Sequence, residues 1–168
     1  NENFDEMIEK MEKIMGIFHD AKGLIHAPSY EAAEQIVNRI GGSRVMTHGK
    51  HDTQEKLQLF YDSKDPLVFV SPVCQQGVDF KGDRARFQII TRVPYLNTSS
   101  AFVSHKVKND FPWYNYEALV IFGQQLGRVN RSEDDYGATF LMDSRFNKFI
   151  TRNLSKIPKW VQAAIVWK

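Results

Sequence analysis

The sequence predicts an α/β fold in which a parallel sheet is covered on both faces by helices. Short apolar runs alternate with amphipathic stretches along the chain, which is the order of strands and helices in βαβ units. The run at 67–70 is continuously apolar, as expected for a strand that is covered on both sides. With 168 residues and no linker-like or repeated segment, the chain is expected to form a single domain.

The first half of the chain predicts three helices and three strands. Residues 3–20 repeat apolar side chains at spacings of three and four, with acidic side chains on the other side. Ser29 is a candidate N-cap for a helix over 30–40. A third helix is predicted over 53–61, and the Asp-Pro step that follows it ends it. The strands are predicted at 24–27, 44–47 and 67–70.

The second half adds two strands, at 87–90 and 138–142, with helices before and after the second of them. Trp113 and Tyr114 follow a proline, where aromatic side chains anchor a loop to the core more often than they stack on bases. Ligands of such sheets gather at the carboxyl ends of the strands. The helices are predicted at 99–108, through 124–131, and at 158–166, where Pro158 suits the first turn.

The composition excludes several classes of protein. Hydrophobic residues make up 42% and charged residues 25%, as in an ordinary globular protein. No apolar run approaches the roughly 20 residues of a membrane span, and no signal peptide is visible. We therefore expect an intracellular location, in cytoplasm or nucleus, and no membrane partner. The single Cys74 and five scattered histidines predict neither an internal disulfide nor a structural metal within the chain.

The charge is unevenly distributed along the chain. Residues 1–65 contain 8 Lys and Arg against 12 Asp and Glu, whereas residues 66–168 contain 14 against 8. The carboxy-terminal part is therefore the side expected to face an anionic partner.

The segment 124–131 is the most informative stretch. If it is helical, Gln124, Gly127, Arg128 and Arg131 share one face. The two guanidiniums suit a polyphosphate, because each is permanently charged and offers a planar fork of donors, and the glycine lets a bulky ligand come close. The alternative is a solvated helix face with ordinary surface charge. The apolar residues predicted on the opposite, buried face are Leu119, Phe122, Leu126 and Val129.

A second informative loop, 75–80, follows the third predicted strand. Gly77 permits a tight backbone turn near a ligand, and Asp79 can orient an arginine, a water or a ribose hydroxyl. Taken alone, a loop of this kind is more often a turn with a helix or strand cap than a ligand-binding loop.

In combination, these motifs resemble the second motor domain of superfamily 2 helicases, and within that group the XPD/DinG branch of DNA helicases. Their order is a strand, Gln-Gln-Gly-Val-Asp-Phe, a strand ending in Val-Pro-Tyr, Gln-x-x-Gly-Arg-x-x-Arg, and a strand ending in Asp-Ser-Arg-Phe. The match covers roughly residues 23–166. The segments similar to helicase motifs IV, V and VI and to the segment that closes the domain are 24–30, 75–80, 124–131 and 156–161.

The resemblance implies a RecA-like domain over residues 1–168, with a helix at about 3–20 in front. In the family, two RecA-like domains close on one ATP: the first supplies the phosphate loop and the Mg-binding acids, and the second supplies arginines to the γ-phosphate. Carried over, Arg128 and Arg131 are the catalytic candidates, and the resemblance does not decide which is the arginine finger. The implied nucleotide-binding residues are Gln124, Gly127, Gly77 and Asp79.

The implied partners are single-stranded DNA and the N-terminal motor domain of the same protein. Contacts in these motors go mostly to the phosphate backbone, from loops near motifs IV and V. Each candidate also has a plainer interpretation, as an N-cap, a loop polar residue or a turn former. The candidates for DNA binding are Ser29, His48, Lys50, Ser71 and Gln75.

Two departures from the family pattern matter. Gln76 stands where the family usually has Glu, which puts in doubt any contact that needs a carboxylate there. The sequence also lacks a G-x-x-x-x-G-K-[ST] loop and an acidic Asp-Glu-x-His box. We therefore expect the chain alone not to hydrolyse ATP, with ATP and Mg²⁺ bound together with the first motor domain. With Cys74 alone, an iron–sulfur cluster is possible only in that other part.

Two further functions fit the same residues. One is a non-catalytic nucleic-acid binding module that kept the fold without its partner domain. The other is a superfamily 2 motor that acts on RNA.

Overall fold

The computed structural model describes residues 4–74, 80, 82–129 and 136–166, and all five predicted strands are present in it. The strands are β1 (Gly23–His26), β2 (Val45–Met46), β3 (Val68–Ser71), β4 (Phe87–Ile90) and β5 (Ala138–Leu141). The helices are α1 (Phe4–Ile17), α2 (Tyr30–Ile40), α3 (Thr53–Asp62), α4 (Ala101–Asn109), α5 (Phe111–Leu126), α6 (Arg145–Asn153) and α7 (Lys159–Ala164).

The five strands form one sheet in the order β2-β3-β1-β4-β5, and every pairing is parallel. β1 is central, so its last residue, His26, lies between Ser71 of β3 and Ile90 of β4. Because all strands run the same way, the loops that follow them meet at one edge of the sheet. The α/β class and the parallel sheet predicted from the sequence are confirmed.

One face of the sheet is covered by α1 and α2. Ile8 and Met11 of α1 and Ile36 of α2 pack with Ile25 and Ile89 of the sheet, and all five are almost fully buried. Each side chain buried in this way contributes roughly 1.5–3 kcal/mol relative to an exposed one. The amphipathic spacing of the first helix is therefore explained by this contact.

The opposite face carries two clusters. Under α3, Phe60 packs against Phe69 of β3 with ring centroids 5.4 Å apart. Under α5 and α6, Phe122 packs against Phe146 and Phe149 at 5.6 Å and 5.7 Å. Between these clusters the sheet face carries polar side chains, which form part of the candidate site.

Two basic side chains tie connecting segments to helix ends. The Arg44 guanidinium donates to the carbonyls of Met15 (2.6 Å), Phe18, Ala21 (3.3 Å) and Pro66 (2.8 Å), which joins the end of α1 and the turn after it to the segment before β3. The last carbonyls of a helix have no partner within it, so these donors replace solvent.

Lys22 makes similar hydrogen bonds to backbone carbonyls at the end of α3. Its ammonium group donates to the carbonyls of Phe60 (2.6 Å), Tyr61 (3.2 Å) and Ser63 (2.6 Å). The segment between α1 and β1 is thereby fixed to the end of α3.

The structure extends α5 in the amino-terminal direction relative to the predicted arginine helix. It begins at Phe111, where the Asp110 side chain accepts from the Trp113 amide at 3.2 Å. Tyr114 stacks on Tyr95 at 5.1 Å and donates to the Leu96 carbonyl at 2.9 Å. The interpretation of this aromatic stretch as a core anchor is confirmed for Tyr114.

The helix α6 is not among the predicted elements. Its buried residues recur at helical spacing, so the signal was present in the sequence, immediately after the Asp-Ser step that ends β5. They are Phe146, Phe149, Ile150 and Asn153. Within the described parts of the chain, none of the helices is both long and apolar enough to cross a bilayer.

Candidate functional site

Two of the side chains predicted to contact nucleic acid lie exposed at the carboxyl edge of the sheet. Ser29 follows β1 and caps α2, and its hydroxyl oxygen accepts from the Ala32 amide at 3.1 Å. A hydroxyl that accepts one hydrogen bond can still donate another. Lys50 follows β2 and is exposed in a turn where the Gly49 amide donates to Asp52 at 2.6 Å. Both are accessible to a ligand at this edge.

His48 and Ser71, at the ends of the neighbouring strands β2 and β3, are buried instead. His48 is 3% exposed and Ser71 is 0% exposed. The two side chains contact each other, with 2.7 Å between His48 Nε2 and Ser71 Oγ. The Nδ1 atom lies 2.8 Å from both the Gly49 carbonyl oxygen and the Thr53 hydroxyl oxygen, so both nitrogens of the His48 ring have hydrogen-bond partners.

The same two side chains are held by further contacts. The His48 ring stacks on Phe69 at 5.4 Å, and Ser71 Oγ accepts from the Val73 amide at 3.1 Å. They therefore fasten the loops after β2 and β3 to each other. Both side chains would have to become accessible before they could contact DNA directly. That contact stays a prediction. Gln75, the fifth candidate, lies outside the described residues.

The end of α5 differs from the sequence prediction. The helix stops at Leu126, so Arg128 lies in the turn that follows rather than on a continuous helix face. The Gly127 amide still donates to the Gly123 carbonyl at 3.2 Å, whereas the Arg128 amide donates to the Gln125 carbonyl at 3.0 Å, a tighter bond that closes the helix. The helical placement predicted for this segment is therefore wrong for residues 127–129, and residues 130 and 131 lie outside the described residues.

Val129 shows the consequence of this early end. It was predicted to share the buried face of Phe122 and Leu126, yet it packs in the cluster of Leu24 and Phe69, on the α3 side. The chain thus crosses between the two clusters at Arg128. Gln124 and Gly127 are half-buried beside it, whereas Arg131, Gly77 and Asp79 lie outside the described residues.

The half-buried Arg128 lies close to the ends of β1 and β3. Its Nε atom donates to the Gln124 carbonyl at 3.2 Å. Burial raises the pKa of the Cys74 thiol to about 11, and a hydrogen bond from Ser71 and the positive charge of Arg128 oppose that rise. The charge of Arg128 therefore reaches Cys74, which directly precedes the segment with the predicted nucleotide-binding residues Gly77 and Asp79 in the sequence.

A row of buried polar side chains, not found by sequence reasoning, runs across the sheet beneath this turn. The Gln88 amide oxygen accepts from His26 Nε2 at 2.9 Å, and its nitrogen donates to the Gln125 carbonyl at 3.0 Å and to Thr139 Oγ1 at 2.9 Å. His26 and Gln125 are 2% exposed and Gln88 is 0% exposed. The signal was a glutamine within an otherwise apolar strand.

His26 is held neutral in this row. Because the Gln88 oxygen only accepts, His26 carries its proton on Nε2, and its Nδ1 atom has no partner among the described residues. Burial lowers the pKa of His26 from 6.5 to about 4, the hydrogen bond with Gln88 opposes this, and the charge of Arg128 lowers the pKa further.

Acidification should therefore destabilise the fold through His26. Its folded-state pKa of about 4 lies below the unfolded value of 6.5, so the stabilisation is fully present above pH 6.5 and is lost as the pH falls through 4. We expect His26 to account for about 3 kcal/mol of lost unfolding free energy between pH 7 and pH 4. Urea unfolding of wild type and His26→Gln at both pH values isolates this contribution. Parallel loss of stability in the two proteins would contradict it.

Metal ligands are not gathered at this site. Across 4–74, 80, 82–129 and 136–166, no three His, Cys, Asp or Glu side chains are placed to hold a metal ion.

Comparisons with known proteins place these features in a family context. The helicase C-terminal domain family matches residues 12–164. The chain is 29% identical over 138 residues to the Fanconi anemia group J protein homolog of Gallus gallus, which covers 69% of the chain and 11% of that protein. It is 34% identical over 140 residues to the regulator of telomere elongation helicase 1 homolog of Aedes aegypti. That match covers 70% of this chain and 14% of that protein.

The fold also has solved neighbours. An apo XPD structure superposes with a TM-score of 0.71 at 20% identity, over 89% of this chain and 33% of that one. This similarity supports the RecA-like architecture of the sheet and helices. The chain spans only 11% to 14% of the length of the two relatives above.

Proposed function

Because the chain belongs to the helicase C-terminal domain family, we propose that it is the second motor domain of an ATP-dependent DNA helicase of the XPD/DinG type. In this role it closes on an ATP molecule held by a first motor domain of the same protein. The observation that carries the proposal is the position of Arg128, in the turn after α5 and within electrostatic reach of His26 at the end of β1 and of Cys74 after β3.

The arginines supply positive charge to the transferred phosphoryl group. A guanidinium that is fixed before the reaction stabilises charge that develops in the transition state, without reorganisation at that moment. Arg128 is fixed at its backbone by the Gln125 carbonyl and at its Nε by the Gln124 carbonyl. We propose the same role for Arg131, and a place in the same cleft for Gly77 and Asp79.

Gly127 supports the placement of a ligand at this turn. Its φ of −76° suits any residue, and a Cβ atom there would meet only backbone oxygens, of Gly123 at 3.7 Å and Gln124 at 3.8 Å. The fold itself therefore does not require glycine at this position. We propose that the absence of a side chain at Gly127 leaves space for a bulky anionic ligand beside Gln124 and Arg128.

The first motor domain supplies what this chain does not. No acidic cluster for Mg²⁺ occurs among the described residues, and the sequence has no phosphate-binding loop. We propose that the phosphate loop, the Mg²⁺ ligands and any iron–sulfur cluster belong to the rest of the protein.

Single-stranded DNA is proposed to cross the carboxyl edge of the sheet. Ser29 caps the N-terminus of α2, where backbone amides and the helix dipole favour a phosphate group. Lys50 is exposed in the loop after β2, and the loop after β3 lies between it and the loop that carries Ser29. The contact between His48 and Ser71 holds the loop after β2 in place. Backbone contacts of this kind do not depend on base sequence. Cyclic closure on ATP then moves the two domains relative to each other along the strand.

This proposal is tested by comparing the chain alone with the complete helicase. We expect no ATP turnover from the isolated chain, because one motor domain provides only half of the ATP site. The complete protein should hydrolyse ATP, with stimulation by single-stranded DNA, as measured by phosphate release.

Three outcomes of that experiment would change the assignment. Turnover by the isolated chain would contradict the split ATP site. Stimulation by RNA but not by DNA would indicate an RNA motor. DNA binding by the complete protein without any ATP turnover would indicate a non-catalytic nucleic-acid binding module.

A further inference from the structure

The buried amide of Gln88 has more hydrogen bonds than filling the core requires. Its neighbours on β4 are Phe87, Ile89 and Ile90, and an apolar side chain would suit the same position. Instead, the amide nitrogen donates twice and the oxygen accepts once, as described above. Burying a polar group costs free energy unless the group is hydrogen-bonded. These three hydrogen bonds therefore favour one arrangement of the surrounding elements.

The Gln125 carbonyl is the point where this amide meets the turn that carries Arg128. That oxygen accepts from Gln88 Nε2 at 3.0 Å and from the Arg128 backbone amide at 3.0 Å. One atom therefore joins β4 to the backbone of Arg128. The contact spans 37 positions of the chain, so it is a tertiary contact and not part of the helix itself.

The Gln125 carbonyl and His26 together fix the direction in which the Gln88 amide points. An amide group can rotate by half a turn and exchange its oxygen and nitrogen. Because the Gln125 carbonyl can only accept, the amide nitrogen faces it, and the amide oxygen then accepts from His26 Nε2. The donor that holds the turn is thereby kept facing it.

We infer that Gln88 is a positioning residue for Arg128, which holds the turn after α5 through the Gln125 carbonyl. This inference rests on the proposed function, because the role of Arg128 in ATP turnover is itself proposed there. The turn has a second anchor in Val129, which is fully buried in the α3 cluster. Without the Gln88 donor, the turn loses this contact with β4, and the guanidinium shifts away from the phosphate.

The test compares a variant that removes the Gln88 amide with a variant that removes only one of its partners. Gln88→Met keeps the length of the side chain and removes the donor to Gln125. Thr139→Val removes the other acceptor and leaves the Gln125 contact intact. In the complete helicase, we expect Gln88→Met to lower kcat by about tenfold to a hundredfold with KM for ATP unchanged, because small misplacements of catalytic groups have effects of this size. Thr139→Val should change kcat by less than about threefold.

A second measurement does not depend on activity. The Arg128 amide proton is bonded to the Gln125 carbonyl, so its hydrogen exchange reports on the turn directly. In the chain itself, exchange at Arg128 should be about tenfold faster in Gln88→Met than in Thr139→Val. If Gln88→Met does not fold, His26→Leu serves as the second variant. It releases the amide oxygen and should raise exchange at Arg128 and lower kcat by about threefold or more.

The outcomes separate this inference from the function on which it rests. Unchanged kcat and unchanged exchange in Gln88→Met, or in His26→Leu where that variant is used, overturn the positioning role and leave the motor assignment intact. Equal losses of kcat in Gln88→Met and Thr139→Val also overturn it, since they indicate a general effect on the fold. Full turnover in both Arg128→Ala and Arg131→Ala would instead overturn the proposed function.

Discussion

Arg128→Ala should lower ATP turnover of the complete helicase by roughly 10³-fold or more, while single-strand binding stays close to that of the wild type. An arginine that faces the γ-phosphate stabilises charge that appears only in the transition state, and removing it is worth roughly 10³ to 10⁵ in turnover. DNA binding is proposed to use the carboxyl edge, where Ser29 and Lys50 lie, and should not depend on this guanidinium. Phosphate release under saturating ATP and single-stranded DNA, together with a DNA-binding titration, measures both effects.

Two further variants make this experiment specific. Arg128→Lys keeps the positive charge and loses the planar fork of donors, so an intermediate rate is expected. Arg39→Ala is the matched control, because Arg39 forms an exposed ion pair with Asp5 at 2.9 Å on α2, away from the turn. If Arg128→Ala and Arg131→Ala both turn over ATP at the wild-type rate, the assignment as a motor domain is wrong.

Arg44→Met should destabilise the fold by about 4 kcal/mol, with no direct effect on the ATP site. The guanidinium donates to four backbone carbonyls, and methionine can replace the length of its stem but none of its donors. The carbonyls at the end of α1 would then lose their partners in a half-buried position, which costs more than the net value of the bonds themselves. Equilibrium unfolding in urea at pH 7 gives the change in free energy of unfolding.

The same matched position serves as the control for stability. Arg39→Met removes an arginine of equal size from a solvent-exposed pair, and we expect a change of less than about 1 kcal/mol. A similar change for Arg44→Met and Arg39→Met would show that the carbonyl contacts of Arg44 contribute little.

The strands could be predicted from the sequence because the central ones are buried on both faces. The run at 67–70 is apolar on both sides, and a parallel strand between two helical layers has no polar face that could obscure the pattern. Ser29 was recognised as an N-cap for a similar reason, since capping depends on residues close in sequence. The helicase family match confirms the resemblance drawn from the motifs.

The errors arose where contacts join distant parts of the chain. A helical projection of 124–131 contains no information about Gln88, whose amide meets the Gln125 carbonyl at the point where α5 ends. His48 and Ser71 both follow predicted strands, and their contact with DNA stays a prediction, but local patterns gave no sign of their burial. Their mutual hydrogen bond exists because β2 and β3 are neighbours in the sheet, and strand order is a tertiary property that local patterns do not specify.

The buried Cys74 has a practical consequence for following domain closure in solution. Its thiol is inaccessible and its pKa is raised to about 11, so almost none of it is thiolate at neutral pH. Maleimide and iodoacetamide dyes react with the thiolate, and the native cysteine should therefore stay unlabelled. Within this chain, Lys50→Cys can therefore be labelled with a fluorophore without first removing Cys74, which gives one labelled position on the face proposed to carry the nucleic acid.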